Sequence, residues 1–180
     1  MSRFLFLSCL LLTTLIVLAQ GGKHNLGRVP TPEELKARDI SVFGTGEGLP
    51  AGEGSAKEGR GIYVVRCASC HGEHGEGHGA NPPIAGGLRT LNSDAPLATV
   101  GSYWPYATTA WDYISRAMPY QAPGSLTARE VYSVTAYVLY LDGIVSESEV
   151  LNAKSLPKVK MPNRDGFVAD PRPDTRTLTR

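Results

Sequence analysis

The chain has 180 residues, with 18 Lys and Arg against 17 Asp and Glu, a formal charge of +1, and 42% hydrophobic residues. That length suits one domain with a modest core. The charge balance excludes the basic footprint of a nucleic-acid binder.

Met1 to Arg3 is a short basic start, and Phe4 to Leu18 is almost wholly apolar. Val17-Leu18-Ala19 then offers small or modest residues before Gln20. This is the layout of a secretory signal peptide over residues 1–19. The apolar run falls short of the roughly 20 residues of a membrane span, and an uncleaved N-terminal anchor is the alternative. Cys9 lies inside the run, not at its end, which argues against lipidation. Cleavage after Ala19 removes Cys9 and Arg3, leaving 17 basic residues against 17 acidic ones and two cysteines, Cys67 and Cys70. The expected product is an exported, periplasmic, near-neutral protein without a membrane span.

Residues 20–54 form an arm rich in Gly and Pro. Only Thr31 to Leu35 reads as a helix start, with Thr31 as cap and Pro32 at the first helical position. A helix begins near Ser55 or Ala56 and runs through Ile62, Val64 and Val65 to Cys67. Gly59 and Gly61 weaken it by up to about 1 kcal/mol each relative to Ala, and close approach of another helix is the expected reason for keeping them. From Gly72 to Ala107, prolines and paired glycines predict loop. A short helix capped by Thr108 or Thr109 follows, with Trp111, Ile114 and Ala117 facing inward. It stops at Pro119, because proline disfavours helical geometry in the residue before it.

The clearest helix is the next. Thr127 is its cap, Glu130 completes a capping box, and Leu126 with Val131 forms a hydrophobic staple. Val131, Val134, Val138 and Leu141 recur at helical spacing beside Tyr137, and Gly143 ends the helix. Residues 144–180 offer one short helical possibility from Ser146 and then an extended, proline-rich tail. Nothing reads as a strand, so the expectation is a small all-α domain over residues 55–143. The arm and tail are expected to lie over its surface and contribute to docking, so that truncation after Gly143 leaves cofactor binding largely intact.

Chemistry concentrates in RCASCHGEHGEGHG, Arg66 to Gly79. A zinc site would need four ligands; Cys67 and Cys70 would have to recruit two histidines, and the usual second cluster is absent. A thioredoxin-like redox pair wants a βαβ context, which this chain lacks. C-x-x-C-H is the pattern of covalent c-type haem attachment: Cys67 and Cys70 bond the two vinyl groups along one haem edge, and His71 is carried beneath the iron as an axial ligand. The export signal, the preceding helix and a downstream thioether favour this reading. After cleavage two methionines remain, and Met opposite His raises a haem potential. Met118, in the loop before the clearest helix, is the preferred second ligand, with Met161 the alternative. His24, His74 and His78 are rivals in principle, but the last two lie too near Cys70 to reach the opposite haem face. A backbone carbonyl near Pro82 or Pro83 is expected to take the other His71 nitrogen. Tyr103, Trp104, Tyr106, Trp111 and Tyr113 are candidates to close the pocket or bond a propionate.

These features resemble class I cytochromes c: the helix before Cys67, the attachment site, the Pro82-Pro83-Ile84 loop, Met118-Pro119 and the Tyr137-bearing helix. Further stretches are similar to the cytochrome subunit of Sox-type sulfite or sulfane dehydrogenases, among them Gly101-Ser-Tyr-Trp-Pro-Tyr-Ala-Thr-Thr, Arg116-Ala-Met-Pro and Leu156-Pro-Lys-Val-Lys-Met-Pro-Asn-Arg-Asp-Gly-Phe. Ala37 to Phe43 departs from that family's usual pattern. The resemblance implies a mono-haem electron-transfer subunit that is not itself the catalytic centre. It would accept electrons from a molybdenum-containing dehydrogenase subunit and pass them to a downstream cytochrome or oxidase. A free shuttle cytochrome, or the haem subunit of a quinoprotein alcohol dehydrogenase, is the alternative.

Overall fold

The computed structural model describes residues 26–172; the expected signal segment, Cys9 and His24 lie outside them. The chain divides into two units, Met1–Asp39 and Ile40–Arg180. In the first, helix α1 (Pro32–Arg38) starts as anticipated: Thr31 and Glu34 form a reciprocal capping box, and Arg28 pairs with Glu34. α1 buries none of its residues.

The second unit is built around one helix. After strand β1 (Glu53–Ser55) come α2 (Ala56–Arg66), the single turn α3 (Ala68–His71), α4 (Val100–Tyr103), α5 (Ala107–Ala117) and α6 (Ala128–Leu141). Strand β2 (Val150–Asn152) and a 3₁₀ turn, Leu156–Lys158, complete it. α6 buries Val131 through Leu139 without a break, so it is the core's axis and not an amphipathic surface helix. Its start follows the expected chemistry, Thr127 and Glu130 each bonding the other's backbone. Past Asp142 the chain turns on Gly143 at φ 68°, a left-handed value that favours glycine.

α2 crosses α6 at Gly59, where a Cβ would lie 1.9 Å from the Ser133 carbonyl oxygen. The expected close approach is therefore real at Gly59. At Gly61 it is not, since nothing lies within 4 Å of the position. Tyr63 and Tyr137 pack across the same interface with ring centroids 5.0 Å apart.

Four features depart from the sequence reading. α5 is capped by Tyr106, and Thr108 is buried inside its first turn, so neither threonine serves as cap. α4 interrupts the predicted loop through its own Thr99–Ser102 capping box. β1 and β2 pair antiparallel, with Gly54 opposite Leu151; three-residue strands are too short to show alternation. The arm and tail also do not stop at the expected boundaries. Tyr132 donates to the Pro50 carbonyl at 2.9 Å and Arg116 to that of Ile40 at 2.7 Å, so residues from Ile40 onward belong with the helical unit. Leu151 and Leu156 are fully buried and Met161 is 3% exposed, all within the central cluster. The tail is core, not covering, because α6 offers more apolar surface than α2 and α5 can bury. Among the described residues no helix is long and apolar enough to cross a membrane.

Candidate functional site

α2 ends at Cys67, whose backbone (φ −127°, ψ −38°) breaks the helix and restarts it as α3. The break is held from both sides: the Cys67 N–H donates to Tyr63 O at 2.8 Å, and the His71 N–H donates to Cys67 O at 3.0 Å. Cys67, Cys70 and His71 therefore sit on one short turn, and Gly72 closes it at φ 77°. Tyr63, fully buried, donates its hydroxyl to Gly72 O at 3.0 Å, and the Gly77 N–H reaches back to His71 O at 2.8 Å. These bonds fix where His71 leaves the backbone.

Beside this turn lies a cavity of about 360 Å³, within the range of small-molecule and cofactor pockets. α2 and α3 contribute Tyr63, Cys67 and His71 to its wall. The loop and α4 segment add Ile84, Val100 and Trp104; α5 and the following loop add Tyr113, Ile114 and Met118; α6 adds Val134 and Val138. No carboxylate, Lys or Arg is among the lining residues. Cys67 and Cys70 are both free thiols, not joined as a disulfide. Burial pushes the Cys67 thiol up to about 11, with Arg66 opposing, so it lacks the thiolate character of a redox-active cysteine.

Burial likewise lowers the pKa of His71. The ring is thereby kept neutral, the form that binds a metal. Its Nδ1 is sealed from solvent without a hydrogen-bond partner, so the carbonyl expected near Pro82 or Pro83 does not take it, although Pro82 lines the same cavity. His71, the Cys67 thiol and the Met118 thioether line one apolar cavity, and Cys70 stands on the same turn as Cys67 although it does not line it; this donor set fits a large apolar group carrying a metal. Among the described residues no cluster of three or more His, Cys, Asp or Glu could hold a metal by itself, which leaves the zinc reading without ligands.

The two methionines part here. Met118 lines the cavity, whereas Met161 is buried in the core cluster and does not. His74 and His78 are exposed in the loop that follows α3, with His78 Nδ1 3.1 Å from Ser69 O. Of the five aromatic candidates, Trp104 and Tyr113 line the cavity and meet edge to face at 5.9 Å. Trp111 packs on Tyr132 instead, and Tyr106 lies under the Arg164 guanidinium at 4.0 Å. Tyr63 and Val100 were not legible as site residues. Tyr63 reads as an ordinary helix position, and Val100 belongs to the unrecognised α4.

The comparisons agree with this geometry. The family model for cytochrome c matches residues 56–142. A search of curated proteins finds no match. Among solved structures, the chain is similar to one in the crystal structure of the sulfane dehydrogenase SoxCD from Paracoccus pantotrophus. The identity is 40% and the TM-score 0.76, over 85% of this chain and 75% of that one. A c-type attachment turn, a cavity to match and a 40% identical relative across most of its length lead to one conclusion: the chain belongs to the cytochrome c family, carrying covalently bound haem c for electron transfer.

Proposed function

We propose that this cytochrome is the periplasmic haem subunit of a molybdenum sulfite- or sulfane-type dehydrogenase, accepting electrons from the catalytic subunit and passing them to a downstream cytochrome or oxidase. One observation carries the reading: similarity to the SoxCD chain covers 85% of the sequence, whereas the general cytochrome c model stops at residue 142. A free shuttle needs only the common haem fold. Likeness that extends well beyond the stretch matched by the general haem fold is what a subunit of one kind of complex retains.

Haem iron supplies one-electron chemistry, alternating between ferric and ferrous states. In this reading Cys67 and Cys70 would hold the group by thioethers, and His71 and Met118 would supply the nitrogen and sulfur donors to its iron. A neutral imidazole and a soft thioether together favour the ferrous state. The apolar wall of Ile84, Val100, Val134 and Val138 excludes water from the site. Residues 1–19 act as the export signal that brings the chain to the compartment where haem is attached.

Purification from the native host under mild conditions tests the assignment. A complex of the cytochrome with a molybdenum protein, whose haem is reduced on addition of sulfite or a sulfane compound, is the expected outcome. A cytochrome recovered alone, and not reduced by any fraction containing such an enzyme, refutes it.

A further inference from the structure

Asp142 is badly placed for a carboxylate. It follows the last turn of α6, where the helix dipole disfavours negative charge, and its Oδ2 is sealed from solvent with no hydrogen-bond partner. Burial accordingly raises its pKa, with the Gly86 amide the chief opposing contact. A cost of this kind implies a compensating contact.

Two contacts are present. The Gly86 N–H donates to Asp142 Oδ1 at 2.5 Å, a charge-assisted bond across 56 residues of sequence. On the other side, the first turn of α4 rests directly on the carboxylate: a Cβ at Gly101 would meet Oδ2 at 2.2 Å and Cγ at 2.8 Å. Gly86 and Gly101 are themselves tied together. Thr99 Oγ1 donates to Gly86 O at 2.7 Å, the Val100 N–H to Ile84 O at 3.1 Å, and Ser102 Oγ to Leu97 O at 2.7 Å. Asp142 thus closes a ring of contacts that gathers the Gly86 and Thr99–Ser102 segments of the long loop onto the end of α6. Ile84, Val100 and Trp104, the cavity wall contributed by that loop, are all attached to the ring, while Val134 and Val138 of the facing wall ride on α6 itself.

We propose that Asp142 is a positioning residue of the haem pocket, its carboxylate clamping Gly86 and Gly101 so that the Ile84–Trp104 wall stays closed against the haem. Asp142 is not among the residues that line the cavity; it acts through the wall. The proposal rests on haem in this cavity, which the absorption spectrum of the matured wild type checks separately. It is independent of the partner enzyme.

The test uses the full-length, haem-loaded protein and three variants, Asp142→Ala, Asp142→Asn and Gly101→Ala, with exposed Glu147→Ala as control. The readouts are the midpoint potential and the rate of cyanide binding to ferric protein. Asp142→Ala should bind cyanide about tenfold faster or more, with a lower potential, because an opened wall admits water and ligand. Asp142→Asn keeps an acceptor for Gly86 and should fall between. Gly101→Ala should act in the same direction, and the Asp142→Asn/Gly101→Ala double variant should be no worse than its worse parent, since both break one contact. If Asp142→Ala fails to mature, Asp142→Asn and Gly101→Ala decide. Wild-type potential and cyanide rate in the variants, even with a lowered melting temperature, would overturn the proposal, as would fully additive effects in the double variant.

Discussion

Gly59 and Gly61 lie two residues apart on α2, and the same substitution should have opposite effects at the two. Replacing Gly by Ala inside a helix is intrinsically favourable by about 1 kcal/mol. At Gly61 nothing lies within 4 Å of the added methyl, so Gly61→Ala should realise that gain. At Gly59 the methyl meets Ser133 O at 1.9 Å and its carbonyl carbon at 2.5 Å. That obstacle is backbone inside α6 and cannot rotate away, so the helices must part. Overpacking costs about 1–3 kcal/mol, and a backbone obstacle places this case at the upper end. After the propensity gain, Gly59→Ala should lose about 2 kcal/mol, a gap of about 3 kcal/mol between the variants. For a chain of this size, about 2–4 °C per kcal/mol, their melting temperatures should differ by roughly 6–12 °C. Thermal and urea unfolding of the haem-loaded proteins, followed by circular dichroism and haem absorbance together, makes the measurement. A Gly59→Ala protein as stable as wild type, or a Gly61→Ala protein that falls equally far, would refute the crossing. The consequence reaches the site, because α2 delivers Cys67 and α6 delivers Val134 and Val138 to one cavity.

Met118→Ala should lower the reduction potential, remove the weak sulfur-to-iron absorption of ferric haem and open the iron to added ligands. Met161→Ala should leave the spectrum unchanged but lose about 2–5 kcal/mol of stability, being a large-to-small core substitution; unfolding curves and spectra of the pair assign each role. Deleting the chain after Gly143 removes Leu151, Leu156 and Met161 from the core and should prevent recovery of folded holoprotein. Ending it after Phe167, beyond which Val168 is 91% exposed, should be tolerated, and yields of haem-loaded protein distinguish the two. Arg129 and the Ser55 amide lower the pKa of Glu58, and the Thr127 amide and hydroxyl that of Glu130, from 4.5. Their stabilisation is present above that pH and lost as pH falls through the folded-state values. The stability deficit of Glu130→Gln should therefore shrink below about pH 4.5 in acid titrations, whereas a constant deficit would place the effect elsewhere.

Thr31 was readable as a cap before Pro32, while the start near Ser55 was read from patterning and its capping box emerged only in the structure. The helix start at Thr127 was readable because a capping box is chemistry between neighbours, complete within four residues. The attachment turn was readable for the same reason: Cys67, Cys70 and His71 need only one turn of helix to converge. The preference for Met118 over Met161 was also local, resting on the proline after it and the capped helix that follows. α4 escaped because its Thr99–Ser102 box caps a single turn without apolar periodicity, and β1 and β2 because each is defined by the other.

The sequence by itself determined the cofactor chemistry, the strongest helices and the side chains that meet within a turn. Only the tertiary structure decided what lies against what. It made the tail part of the core, separated Gly59 from Gly61 and brought Asp142 onto Gly86 and Gly101. Local bonds are encoded by spacing; burial and long-range contact depend on which surfaces α6 leaves for the rest of the chain to cover.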